Sequence, residues 1–320
     1  MRGEQIVTTP LTLALSPQWV ERMPTRYKDN AVKEVVIISG KGGTGKTSIA
    51  GCFAALAKNK VLADADVDAA DLFILLEPSI QSRESFRGGH TAFIDMDACV
   101  ECGECLELCR YDAISQDYVV DKVDCEGCGV CAHFCPSEAI EMQENICGEW
   151  FVSDTRYGPF VHAKLGIAEE NSGMLVTIVR HNAKLIAEEK GLDLIIVDGP
   201  PGIGCPVISA VTGANLVFIV TEPTLAGIHD MQRVAALAKH FNIPAAACIN
   251  KYDLNPEMSD RIRGYCEETG VHFVGMIPYD TVVSKALVEK KIIVEYGNGT
   301  VSDEINKMWR ALAEILGVAS

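Results

Sequence analysis

The chain has 320 residues, 48% of them hydrophobic, and carries 28 Lys and Arg against 44 Asp and Glu, for a formal charge of -16. That composition excludes a largely disordered chain, and the acidic balance argues against a nucleic-acid partner, because binding to phosphate backbones rests on Lys and Arg. No apolar run reaches the roughly 18 residues a membrane helix needs, so a soluble, cytoplasmic protein is expected and a membrane partner is not.

In chain order, residues 1–32 read as an unstructured extension: "PLTLALSP" is bracketed by prolines and lacks the basic lead and cleavage site of a signal peptide. Strands are then predicted at "EVVIIS", "KVLADA", "LDLIIVD", "NLVFIV", "PAAACIN" and "VHFVGMI", with helices starting near Lys46, Met174, Pro206, Gly227, Pro256 and Thr281. The strands are continuous apolar runs without alternation, as expected where helices cover both faces of a sheet. The alternation of strand and helix predicts an α/β fold built on a mostly parallel, doubly wound sheet. A last helix over about 302–316 carries Ile305, Met308, Trp309, Leu312, Ile315 and Leu316 on one face, read as packing on the domain's own core. Residues 33–84 and 147–320 make up this domain, and residues 85–146 interrupt it as an α+β insert. Residues 157–176 look too polar and Gly-rich for a simple connection and are read as a lid or partner surface, with His162 and Glu170 as structural residues.

The first strand runs into Gly40, Lys41, Gly42, Gly43, Thr44, Gly45, Lys46, Thr47 and Ser48, which satisfy G-x-x-x-x-G-K-[ST]. Between a buried strand and a helix start, such a loop turns backbone N–H groups toward the β- and γ-phosphates of a nucleotide. Lys46 supplies positive charge there and the Thr47 hydroxyl a ligand for Mg²⁺. Lys41 is one lysine more than the loop needs.

Thirteen cysteines are present, nine of them between Cys99 and Cys147, and without a secretion signal they read as metal binding in a reducing compartment. Cys99, Cys102, Cys105 and Cys109 recur 26 residues later as Cys125, Cys128, Cys131 and Cys135, each set followed by "AI". The insert is therefore a duplicated unit. Zinc is the alternative metal, but paired zinc ribbons leave longer gaps between their C-x₂-C pairs. Cys52, Cys147, Cys205, Cys248 and Cys266 are expected in the core. Residues 95–145 also hold 13 acidic residues against Arg110 and Lys122.

"KGGTGKT" resembles the deviant Walker A loop of the MinD, ParA, Mrp and nitrogenase iron protein class, and the resemblance implies that Lys41 reaches across a dimer to the partner's nucleotide. "VLADADVDAADL" is similar to that class's switch I, with Asp64 near Mg²⁺ and Asp66, rather than Asp68, orienting the attacking water. "DLIIVDGPPGIG" looks like its Walker B strand and switch II, with Asp198 holding Mg²⁺ through water and Gly202 providing a peptide that turns as the γ-phosphate leaves. In "CINKYD", Asn250, Lys251 and Asp253 fit the guanine-reading N-K-x-D of GTPases. In the MinD-like class the asparagine contacts adenine, so ATP is expected over GTP.

C-x₂-C-x₂-C-x₃-C, twice, with Pro136 after the second copy and Arg110 after the first, resembles bacterial two-cluster ferredoxins. The resemblance assigns one [4Fe-4S] cluster to Cys99, Cys102, Cys105 and Cys135, and another to Cys125, Cys128, Cys131 and Cys109. Cys205 follows Asp198 at a spacing similar to that of the bridging-cluster cysteine of the nitrogenase iron protein, but no second ligand is evident near Asn171. From about Val35 to Leu316 the chain resembles MinD-superfamily ATPases with an inserted ferredoxin domain. This implies a partner-stimulated Mg-ATP-dependent homodimer gating electron transfer, with a redox partner that docks through a basic face. Two alternatives follow from the same likeness: an iron-sulfur carrier similar to Mrp, and a MinD-like positioning or regulatory switch with redox-sensing clusters.

Overall fold

A computed structural model describes residues 32–166, 171–297 and 299–319. The expected N-terminal extension, apart from Val32, and Glu170 lie outside the described residues.

Among the described residues, nine strands form one sheet. In chain order they are β1 (Lys33–Ile38), β2 (Lys60–Asp64), β3 (Ser79–Ile94), β4 (Ile140–Thr155), β5 (Gly158–Leu165), β6 (Leu194–Asp198), β7 (Leu216–Thr221), β8 (Ala245–Asn250) and β9 (His272–Ile277). Their order across the sheet is β3-β4-β5-β2-β6-β1-β7-β8-β9. From β5 to β9 the pairing is parallel, and β3 and β4 add an antiparallel edge. The parallel part follows from the apolar runs: Val35 to Ile38, Leu194 to Val197 and Leu216 to Val220 are all buried, so these strands stay inside only with helices on both faces.

The helices divide between the two faces. The first core packs apolar residues of α5 (Ser172–Lys190), α6 (Cys205–Val211), α7 (Leu225–His240) and α8 (Pro256–Thr269) against the sheet. The second packs α1 (Lys46–Leu56), α2 (Leu72–Leu76), α9 (Thr281–Val288), α10 (Ile293–Tyr296) and α11 (Thr300–Leu316) against the other face. In α11, Ile305, Met308, Trp309, Leu312 and Leu316 are buried as expected, with Trp309 set 5.3 Å from the Phe53 ring. Ile315 is the exception and is 37% exposed, because it lies one position round the helix from Leu316.

Two expectations change at the acidic edge. Of the segment 157–176 expected as a lid or partner surface, Gly158–Leu165 is strand β5, paired on both sides, and Phe160, Val161 and Ala163 are fully buried; residues 167–170 lie outside the described residues. A strand opening on Gly-Pro and carrying His and Lys conceals its period, while its neighbours β2 and β4 supply the hydrogen bonds that hold it extended. The boundaries at 84/85 and 146/147 fall inside β3 and β4, which run as one antiparallel ribbon from Ser79↔Asp154 to Ile94↔Ile140.

Beyond the ribbon lies the cysteine-rich segment. It holds two five-residue helices, α3 (Glu104–Leu108) and α4 (Val130–Phe134), each starting after a left-handed glycine, Gly103 and Gly129. The internal repeat is thus repeated in structure. Asp95 N–H donates to the Ala139 carbonyl at 2.8 Å and closes the segment's base.

Candidate functional site

The central strand β1 has β6 on one side and β7 on the other, and the phosphate-type loop leaves its C-terminal end, where ligands sit in open α/β sheets. Gly43 and Gly45 take positive φ, 78° and 89°, and Gly45 begins α1. A Cβ at Gly45 would also stand 2.5 Å from Asn250 Nδ2, so a side chain there would displace the Asn250 amide. Asn250 Nδ2 in turn donates to the Thr44 carbonyl at 2.8 Å, so the end of β8 is tied to the loop. Thr44 Oγ1 is buried without a hydrogen-bond partner among the described residues.

Lys46 is 5% exposed and lies 2.7 Å from Asp198 and 3.3 Å from Asp66. Burial opposes its charge, yet Asp198, Asp66 and Asp64 outweigh that and hold its pKa above the ordinary lysine value. Its Nζ lies 3.5 Å from the Thr47 hydroxyl. Asp64 and Asp198 end adjacent strands in register, so two carboxylates are forced side by side. Asp64, fully buried, is pushed well above the usual carboxylate range by burial and by Asp198, and it accepts from the N–H groups of Asp66 and Leu72. Burial likewise raises Asp66. Asp198 Oδ2 is buried and has no hydrogen-bond partner among the described residues. An orphaned carboxylate oxygen beside a second buried carboxylate and a threonine hydroxyl suits a hydrated divalent cation. Of the two switch I candidates, Asp66 faces Lys46 and Asp68 is exposed.

Gly202, with φ 89°, donates its N–H to the Ser39 carbonyl at 2.9 Å, which joins the segment after β6 to the loop after β1. Asp253 stands apart from the loop contacts: its Oδ1 accepts from Tyr279 N–H at 2.6 Å. Lys41 lies 3.1 Å from Glu222, a residue that motif reading does not single out, and Lys251 bonds the same carboxylate at 2.6 Å. Burial works to raise the Glu222 pKa, but the two ammonium groups outweigh it and hold the carboxyl below its usual range.

The cysteines segregate into two hollows. One is lined by Cys99, Cys102, Cys105 and Cys135 with Ile94, Tyr118, Pro136 and Ile140. The other is lined by Cys109, Cys125, Cys128 and Cys131 with Ala92, Ala113, Ile114 and Met142. Each takes three thiols from one repeat and the fourth from the other. Backbone N–H groups point at sulfur, from Glu101 to Cys99 and from Ala139 to Cys135, both at 3.4 Å. Slight burial opposes ionisation of Cys135, but the Ser137 hydroxyl and neighbouring N–H groups outweigh it and hold the thiol below its ordinary pKa. Among the described residues, no three His, Cys, Asp or Glu side chains form a group that could hold a metal ion. Cys52, Cys147, Cys248 and Cys266 are buried as expected. Cys205 is exposed instead, because α6 turns Val207, Ala210 and Val211 inward and its first turn out.

No helix among the described residues is long and apolar enough to cross a membrane. The chain is 32% identical to an uncharacterised protein of Methanocaldococcus jannaschii over 89% of this chain and 98% of that one. It is 25% identical to an iron-sulfur cluster carrier protein of the same organism, over 38% of this chain and 47% of that one. Its fold is similar to that of the septum site-determining protein MinD of Pyrococcus horikoshii, solved with Mg-ADP, with a TM-score of 0.54 and 16% identity over 90% of this chain and 98% of that one. The sequence model of the CobQ/CobB/MinD/ParA nucleotide binding domain matches residues 35–293, a span that holds the glycine loop, both aspartate-ended strands and Asn250. The chain belongs to that family of nucleotide-binding domains.

Proposed function

We propose that the protein is an Mg-ATP-dependent ATPase that dimerises on ATP, and that its cysteine-rich insert, a two-cluster ferredoxin-like unit, couples nucleotide state to electron transfer. The observation that carries this reading is the sorting of eight cysteines into two four-thiol hollows at the end of a ribbon continuous with the nucleotide-binding sheet. A [4Fe-4S] cube takes one thiolate on each iron, so its ligands need not converge as they do around a single ion. Cys99, Cys102, Cys105 and Cys135 would hold one cube, and Cys109, Cys125, Cys128 and Cys131 the other. When bound, the cubes supply one-electron transfer.

The chain's own residues supply the rest. Backbone N–H groups of residues 42–48 and the Lys46 ammonium bind the phosphates, and Thr47, Asp64 and Asp198 would hold Mg²⁺. Asp66, beside Lys46, orients the attacking water. Gly202 loses or keeps its bond to Ser39 as the γ-phosphate leaves or stays. Lys41 completes the partner protomer's site, and Asn250 with the end of β8 borders the base, where ATP is favoured over GTP. The acidic surface of the insert suits an electron donor or acceptor with a basic face.

Anaerobic EPR of the dithionite-reduced protein, with and without Mg-ATP, tests the coupling. Two interacting signals of reduced cubes whose shape or reducibility changes with ATP are expected. Spectra without iron-sulfur signals, or signals indifferent to nucleotide, would overturn it. The second reading is a MinD-like switch, favoured by the sheet's likeness to MinD. In that case nucleotide-dependent association with a scaffold protein persists when the cubes are removed.

A further inference from the structure

The loop carrying Lys41 is fixed on both sides. Ser39 Oγ donates to the Lys41 carbonyl at 2.8 Å, and Gly40 lies so close to Asp230 that a Cβ there would overlap its side chain. The side chain of Lys41 is therefore the part free to choose a partner, and in this chain it bonds Glu222, just beyond the end of β7.

Glu222 is held for that role. Its carbonyl accepts from Thr224 N–H at 2.8 Å, and Gly227 packs beneath it so tightly that a side chain there would collide with that carbonyl. The Thr221 hydroxyl donates to the Gly227 carbonyl at 2.9 Å. The carboxylate is 13% exposed, whereas Lys41 is 41% exposed, so the acid is the fixed half of the pair and the lysine the mobile half. Lys251 occupies the other carboxylate oxygen. When Lys41 leaves, Lys251 stays, and the carboxylate is not left as an uncompensated, largely buried charge, which is the condition that makes breaking a buried pair costly.

We infer that Glu222 is a positioning residue that latches Lys41 within its own protomer, with Lys251 tuning how easily the latch opens, and that it thereby sets the ATP-dependent dimerisation threshold. This rests on the dimer reading given above. A partly exposed pair of this kind changes an equilibrium by roughly two- to fivefold, and two latches open per dimer, so roughly four- to twenty-five-fold is at stake in the dimer dissociation constant.

Two measurements on the full-length chain separate the latch from the dimer reading. In nucleotide-free protein, acylation of Lys41 by an amine-reactive ester, followed by mass spectrometry, reads whether the ammonium is held. It should rise in Glu222→Gln and fall in Lys251→Ala. Sedimentation in a non-hydrolysable ATP analogue reads the dimer, which should tighten in Glu222→Gln and weaken in Lys251→Ala. A loss of fold would move both variants the same way, so the opposite signs identify the latch. Unchanged Lys41 labelling in Glu222→Gln overturns it whether or not dimers form. Altered labelling with wild-type dimers whose affinity neither substitution moves also overturns it. A wild type that never dimerises removes the dimer reading and, with it, the threshold.

Discussion

The imidazole of His162 is stacked on Phe160 and Phe151 at 4.6 and 4.8 Å between centroids, and its Nε2 lies 3.2 Å from the Ser153 hydroxyl. Burial lowers its pKa from 6.5 to about 4. The folded chain therefore stays unprotonated at this site while the unfolded chain takes up a proton, so stability is fully present above about pH 6.5 and is lost as pH falls toward 4. The loss should reach on the order of 2 kcal/mol by pH 5. Urea melts at pH 7 and pH 5 check this: His162→Gln should remove that part of the pH dependence, and an unchanged slope would assign it to other groups. At the same scale the glycine loop between strand and helix was legible. The spacing of Gly40, Gly45, Lys46 and Thr47 is a local pattern set between a strand and a helix start, and Asp198 is picked out by an apolar strand ending in an acid only once that loop is in place. Glu222 was not legible. It belongs to no motif, and only the parallel pairing of β7 with β1 brings it to Lys41.

Among the elements, the loop before α4 shows how tightly the insert is fitted. Gly127 has φ 62°, and a Cβ there would collide with the His90 carbonyl on β3. The matching position of the first repeat, Glu101, reaches φ 53° with a side chain, so the backbone turn alone does not require glycine. The approach to β3 does. Gly127→Ala should push the Cys125–Cys128 turn off the ribbon, and under the two-cluster proposal iron per chain after anaerobic reconstitution should drop from about eight toward about four. Full iron content in the variant would show that the turn accommodates the methyl group. The six apolar strands were readable because buried parallel strands are written as short Val, Ile, Leu and Ala runs. Strands β3 and β4 were not: much of the ribbon faces water, and Ser, Gln, Arg and Glu serve there as well as anywhere in a loop.

At the level of the whole molecule, among the described residues the two sheet cores draw on the ribbon only through Phe86 and Cys147 among their buried residues, and on nothing between 95 and 139. Ala113, Ile114 and Ala139 are buried within the cysteine-rich segment itself. Because Ile94 and Ile140 are paired and Asp95 bonds Ala139, the two strands end side by side and can be joined by a two-residue turn. Replacing residues 95–139 with Asn-Gly should therefore leave a chain that melts cooperatively and binds Mg-ATP with affinity within about threefold of the parent. Calorimetric titration of the variant would expose the opposite case, a nucleotide domain that needs its insert.

What the sequence determined by itself was whatever physical chemistry encodes locally: a glycine loop between a buried strand and a helix start, apolar runs that demand two covered faces, and thiols in a duplicated spacing. The tertiary structure alone decided which distant groups meet. It turned an expected lid into strand β5, exposed Cys205, and placed Lys41 and Lys251 on one carboxylate. Those outcomes depend on strand order and register, which hydrogen bonding and packing settle between segments far apart in the chain, so no local pattern carries them.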